Sequence, residues 1–458
     1  MNRLKMRKSA MLTVLSVFVL AVAIFVFIFF KNGENWAFYE TNQHIYNDGK
    51  MTQPGIITDR DGNILSQTVD GERVYSDDAE IRKATIHVVG DHEGFVSTGV
   101  TNSWRDRLVG YSNINGVYTY SGKGNNAELT ISSEISVAAM KALGNSAGCV
   151  GVCNYKTGEV LCIISTPTYD IGDREEYTKA QNGEMGSVFV NRFISSSYTP
   201  GSTFKIVTAA AAIDTFGSAA YQNTHICNYG TTIEGETLAC MGRHKSVSLN
   251  RAFSQSCNSY FSNTALSLGK TTMTQYAEAF GFNKQFYIDG IACGKTSYTV
   301  DSARNIDFGW SGIGQYTNLM NPVQYLCMVS AVQNGGQYIE PYFVHSVTSS
   351  TGELVYKANP KTVTMINKET ADQIAKLMDF AAQDNYGKST FGTLNVCGKT
   401  GTAEVGGDKE NSLFVGFCKD EELPLAFVVV VEGDGQTKKS AITVANKTLQ
   451  AAKNTLLK

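Results

Sequence analysis

The chain has 458 residues, 39 Lys and Arg against 42 Asp and Glu, 43% hydrophobic residues and 18% charged ones. That balance excludes a wholly disordered chain, and the length suffices for two to four domains with a core that needs no cross-links. A net charge of −3 lacks the concentrated Lys and Arg that a duplex-binding surface requires, so no nucleic-acid partner is expected.

The charge is unevenly placed. Arg3, Lys5, Arg7 and Lys8 fall in the first eight residues with no acid among them, leaving 35 basic against 42 acidic residues beyond. Ser9 to Phe30 then gives 22 uncharged residues dominated by Leu, Val, Ile, Ala and Phe. A helix of that length matches the ~30 Å hydrocarbon core of a bilayer. The run ends in Phe25-Val26-Phe27-Ile28-Phe29-Phe30 without an Ala-x-Ala site, which favours an uncleaved anchor over a signal peptide. Basic residues on its N-terminal side place the N-terminus in the cytoplasm and the body outside, as a single-pass protein of the cell membrane. The expected division is a cytoplasmic stub at 1–8, a transmembrane anchor at 9–30, a small β-rich module at 31–125 and a larger α/β unit at 126–458.

In the module, short strand-like runs at Ile56-Ile57 and Arg73-Val74-Tyr75 surround a turn at Asp59-Arg60-Asp61-Gly62. Ile135, Val137 to Met140 and Leu143 recur at helical spacing before Gly144. A hairpin follows, Cys149 to Cys153 and Glu159 to Ile164, turning at Lys156-Thr157-Gly158. Helical segments are expected near 205–215, 255–268 and 321–333, strands at 411–418 and 425–432, and a last helix over 441–457. Strands at both ends with helices between them imply one sheet assembled from distant parts of the chain and covered by helices.

Ser202-Thr203-Phe204-Lys205 follows the turn Thr199-Pro200-Gly201 and precedes an apolar helical run. Positions three apart share a helix face, so the Lys205 amine falls beside the Ser202 hydroxyl in surroundings that disfavour its charged form. A neutral lysine is a general base for a serine nucleophile. The pattern alone is weak, because Ser267-Leu268-Gly269-Lys270 also fits it. Ser256-Cys257-Asn258 places a hydroxyl and a carboxamide two positions apart at the start of a helical pattern, where capping is the bland reading. Lys399-Thr400-Gly401-Thr402-Ala403-Glu404 sets an amine and hydroxyls against a glycine that lets a ligand approach a strand backbone. Lys156-Thr157-Gly158 repeats the triplet in a hairpin turn without partners and reads as an ordinary turn.

The combination is more specific than its parts. Ser-x-x-Lys, Ser-x-Asn 54 residues later and Lys-Thr-Gly 143 residues after that resemble the penicillin-binding protein and serine β-lactamase superfamily. Pro200-Gly201-Ser202-Thr203-Phe204-Lys205 after Asn191-Arg192 is similar to the class B penicillin-binding proteins, monofunctional peptidoglycan D,D-transpeptidases. Gly312-Ile313-Gly314-Gln315, Asn334-Gly335-Gly336 and Leu413-Phe414-Val415-Gly416-Phe417 agree with this. The likeness runs from about Gly124 to the C-terminus and more thinly over Gly55 to Gly62, where Pro54 stands in place of the family's usual Arg.

The resemblance implies an α/β transpeptidase fold, an antiparallel sheet covered by helices, with the 31–125 segment as a pedestal-like or dimerisation module. It implies Ser202 as nucleophile towards a D-Ala-D-Ala stem peptide, Lys205 as its base, Ser256 as proton relay and Lys399 as a tuner of the field. It also implies Asn258, Thr400, Gly401 and Thr402 as substrate-binding residues and the Ser202 and Thr402 amides as the oxyanion hole. Expected partners are stem peptides, β-lactam antibiotics and a membrane glycan polymerase of the SEDS type; no cofactor is expected. The family often has a Cys pair ahead of Ser-x-Asn, so Cys227 and Cys240 are either bridged or two free thiols. Cys149, Cys153 and Cys162 read as core residues, Cys257 as a spacer, and His244, between Arg243 and Lys245, as a loop residue. Without Cys-x-x-Cys pairs or ligand-spaced histidines, no metal site is expected. The alternatives are a membrane β-lactamase or β-lactam sensor, which needs a base for hydrolysing the acyl-enzyme, a D,D-carboxypeptidase, and a catalytically idle division scaffold, which has no need of the motif residues.

Overall fold

The computed structural model describes residues 2–39, 46–47, 50–51, 54–112, 116–117, 123–406, 409–433 and 440–458. The apolar run at 9–30 lies within one continuous helix, Asn2–Ala37, whose side chains over that run are almost all exposed. Among the described residues it is the one helix long and apolar enough to cross a membrane.

The central sheet has five antiparallel strands in the order Val160–Thr166, Gly148–Asn154, Leu425–Val431, Glu410–Cys418, Val396–Glu404. The hairpin expected at 149–164 therefore pairs with the penultimate part of the chain. Leu425–Val431 is an unbroken apolar run because helices cover both faces of the sheet. Phe427, Val429 and Val431 pack with residues of helices Ser133–Leu143 and Ala441–Leu456. Ala426, Val428 and Val430 belong to the opposite core, which draws on helices Lys205–Phe216, Pro322–Gln333 and Lys368–Asn385. The helical stretch expected near 255–268 is split into Leu249–Ser254 and Asn258–Ala279. Ser256, between them, adopts φ 55°, a left-handed conformation that stops the first helix.

A second sheet has six strands, in the order Leu354–Lys357, Val344–Thr348, Asn126–Leu129, Ile57–Thr58, Ile64–Val69, Glu72–Tyr75. Strands from residues 57–75 thus join strands from the larger unit, and Ile57–Thr58 runs parallel to Asn126–Leu129. Two carboxylates reinforce the seam. Asp59 is fully buried and accepts from the amides of Asp61, Asn63 and Ser133, the Asn63 carboxamide and the Ser133 hydroxyl. Asp170 holds Arg82 bidentately, Nε–Oδ1 2.6 Å and Nη2–Oδ2 2.9 Å.

Removing the Asp59 carboxylate strands several buried donors at once. Asp59→Ala is expected to cost about 2–3 kcal/mol in urea unfolding of the detergent-solubilised chain, since lost hydrogen bonds to a charged acceptor cost that much.

Candidate active site

Gly201–Phe204 form a 3₁₀ turn that runs straight into helix Lys205–Phe216. The turn has Ser202 at its mouth and Lys205 at the start of the buried helix, so the spacing of three brings Lys205 Nζ to 2.9 Å from Ser202 Oγ. Lys205 is completely buried. Its amine also reaches Ser256 O at 2.7 Å, Ser256 Oγ at 3.1 Å and Asn258 Oδ1 at 2.7 Å. The left-handed backbone of Ser256 lets its carbonyl and its hydroxyl face the same amine.

Lys399, on the edge strand Val396–Glu404, places Nζ 3.1 Å from Ser256 Oγ on the other side. Ser256 Oγ thus sits between two buried lysine amines. No carboxylate is among the contacts of either lysine in the described residues, and the Phe261 and Phe253 rings lie 5.8 Å from the Lys205 and Lys399 amines. Burial pushes Lys205 well below its ordinary value, and the neighbouring charge of Lys399 adds to the shift. Burial alone pushes Lys399 down to about 7.

Close backbone approach closes the far wall. A Cβ on Gly201 (φ 52°) would lie 2.3 Å from Thr402 O, and one on Gly314 (φ 82°) 2.0 Å from Gly201 O. Only glycine allows the Ser202 turn to lie against the Thr402 segment of the strand on one side and the Gly314 loop on the other. Gly401 is less crowded but still tight, a Cβ there meeting Pro200 O and Thr203 Cγ2 at 2.9 Å. The resulting cavity of about 280 Å³ is lined by Ser202, Ser256, Asn258, Thr400, Thr402 and, from outside the motifs, Trp310. Glu404 and Glu410 stand at its strand side.

All the motif residues expected to act together meet here. Lys156 and Lys270, from the two decoy patterns, lie elsewhere: Lys156 in its hairpin turn and Lys270 bonded to the carbonyls of Asp301 and Ala303. Tyr386, which no motif indicated, donates to Thr400 Oγ1 at 3.0 Å from the end of helix Lys368–Asn385. The Cys227–Cys240 bridge is not formed: all ten cysteines are free thiols. Cys227, Cys240, His244 and Cys257, which are separated in sequence, converge beside the cavity.

A serine against a buried lysine, a second serine shared with another buried lysine, and a hydroxyl-bearing edge strand define a serine acyl-transfer site of the penicillin-recognising kind. Residues 148–452 match the penicillin-binding protein transpeptidase domain, and the chain belongs to that family. It is 28% identical to the peptidoglycan D,D-transpeptidase PbpA of Mycolicibacterium smegmatis over 96% of both chains. It is 27% identical to the stage V sporulation protein D of Bacillus subtilis, covering 72% of this chain and 53% of that one. Among solved structures, the D,D-transpeptidase domain of an Eggerthella lenta peptidoglycan glycosyltransferase superposes with TM-score 0.76 at 25% identity, over 88% of this chain and 99% of that one. Penicillin-binding protein A of Mycobacterium tuberculosis, solved as a ceftriaxone acyl-enzyme, shares the fold with TM-score 0.75 at 22% identity, over 87% and 98% of the two chains.

The depressed Lys399 value links stability to pH. Between about 7 and its ordinary 10.5 the unfolded chain holds the proton that the folded chain lacks, so this contribution rises with pH, and below about 7 the full cost of burying the ammonium is present. Lys399→Met is therefore expected to flatten the rise of the urea midpoint between pH 7 and pH 9 relative to the parent chain.

Proposed function

We propose that this protein is a membrane-anchored peptidoglycan D,D-transpeptidase that works through an acyl-Ser202 intermediate and is inhibited by β-lactams. The observation that carries this is the 2.9 Å contact between Ser202 Oγ and a fully buried Lys205 whose hydrogen-bond partners are all uncharged oxygens. A buried amine without a counterion favours its neutral form and is ready to accept a proton.

Ser202 Oγ attacks the carbonyl between two D-Ala residues of a stem peptide, and its proton passes to Lys205. The Ser202 and Thr402 amides, held together by the Gly201 contact, stabilise the oxyanion. The C–N bond breaks, and the leaving D-Ala amine takes the proton through Ser256, which Lys205 and Lys399 both touch. Asn258 holds the substrate amide, while Thr400, Gly401 and Thr402 receive the terminal carboxylate. The amine of a second stem peptide then attacks the acyl-enzyme, forms the cross-link and returns the proton to Ser202. A β-lactam follows the first half only: its ring amide opens on Ser202 and no group departs, so the acyl-enzyme persists.

The basic N-terminus supports a cytoplasmic stub and an extracytoplasmic catalytic body, with the 31–125 segment as a pedestal-like module. Through the anchor and that module the chain would work beside a glycan polymerase of the SEDS type.

Ser202→Ala is expected to abolish labelling by a fluorescent penicillin while membrane localisation persists; continued labelling would remove Ser202 as nucleophile. The penicilloyl adduct is expected to last for hours by intact-mass measurement, whereas release in seconds would indicate a β-lactamase. Lys205→Ala is expected to slow acylation by about 10²–10⁴-fold, the usual contribution of a positioned general base. In the parent chain acylation should fall as acid protonates Lys205.

A further inference from the structure

The excursion between helices Lys205–Phe216 and Asn258–Ala279 carries a feature that the transpeptidase reaction does not use. Short strands His225–Cys227 and Lys245–Val247 pair with each other, as do Gly230–Ile233 and Glu236–Ala239. These pairings return the chain on itself so that Cys227, Cys240 and His244 meet Cys257, the middle residue of Ser-x-Asn. The donor atoms of all four lie within 4.8 Å of one another. His244 Nδ1 is 3.4 Å from Cys240 Sγ and 3.6 Å from Cys227 Sγ.

We propose that Cys227, Cys240, His244 and Cys257 form a structural zinc site that fixes the Ser256-Cys257-Asn258 segment in the active site. Three thiolates and an imidazole are a tetrahedral zinc set. With Zn–S about 2.3 Å and Zn–N about 2.0–2.1 Å, such a tetrahedron separates its donors by roughly 3.5–3.8 Å, close to the His244 distances above. Two of the three sulfurs accept from backbone amides, while the Cys227 thiol donates to Gly242 O at 3.6 Å, a bond that zinc would replace. The Asn258 amide donates to Cys240 Sγ at 3.2 Å, and the Tyr260 amide donates to Cys257 Sγ at 3.4 Å, with Cys257 as N-cap of the 22-residue helix Asn258–Ala279. Amide donors and a helix N-terminus both favour a sulfur anion. Zinc binding releases the protons of the three thiols to solvent and leaves the cluster with a single net negative charge.

The consequence for the active site is direct. Cys257 lies between Ser256 and Asn258, both of which bond Lys205, and Cys240 lines the cavity itself. A disulfide between Cys227 and Cys240 would compete for the same sulfurs and leave His244 and Cys257 without their partners.

The test uses the full chain in detergent, with zinc as the probe. About one zinc per chain is expected by elemental analysis, with ten thiols titrating after denaturation in chelator. His244→Gln and Cys227→Ser should weaken zinc binding by at least about 10–100-fold, while Cys293→Ser, at a buried thiol outside the cluster, should retain it. Chelation should slow fluorescent-penicillin acylation and added zinc should restore it. Ser202→Ala should keep its zinc while losing the label, so failure of the acylation mechanism and failure of the metal site are read separately. A metal-free chain with a Cys227–Cys240 disulfide, or one with ten free thiols that takes up no added zinc, would overturn the proposal.

Discussion

The site depends on burying an amine that has no carboxylate partner among the described residues. Desolvating an ammonium costs several kcal/mol unless a partner charge or a proton loss relieves it. Lys205 has four oxygen contacts, all uncharged, so the neutral amine is the form the fold accommodates best. Those four contacts come from a 3₁₀ turn and from a segment some fifty residues later, and Lys399 approaches Ser256 from a strand near the other end of the chain. The alignment of three distant segments around one proton-accepting group is what the central sheet and its covering helices maintain.

Steric constraints act alongside this electrostatic one. Gly201, Gly314 and Gly401 each occupy places where a single methyl group would strike a neighbouring segment. They bring the Ser202 turn directly against the Thr402 strand, so the two walls of the cavity are in backbone contact. Tyr386 extends that coupling to the helix Lys368–Asn385 through its bond to Thr400.

Local chemistry made much of this readable in the sequence. The helix after Ser202, the strands at 410–418 and 425–431 and the terminal helix follow from apolar periodicity, and the motif order pointed to the residues that meet in the cavity. Two things were not readable. Tyr386 is one aromatic residue at a helix end, and only the fold places it against Thr400. The Cys227, Cys240, His244 and Cys257 cluster has no linear signature, because the spacings of 13, 4 and 13 residues are set by two small hairpin pairings rather than by a knuckle motif. Reading Cys227 and Cys240 as a possible pair captured their proximity, and His244 does lie in a loop, but the convergence of these three with Cys257 is visible only in the fold.

The six-stranded sheet gives the molecule a mechanical property. Ile57–Thr58 is hydrogen bonded between Asn126–Leu129 and Ile64–Val69, and the same ladder continues into Val344–Thr348. From residue 54 onwards the N-terminal segment is therefore braced to the catalytic body instead of trailing from it as a slack tether. Separating that segment from the body would require shearing several hydrogen-bonded strands and breaking the Asp59 and Arg82–Asp170 contacts as well.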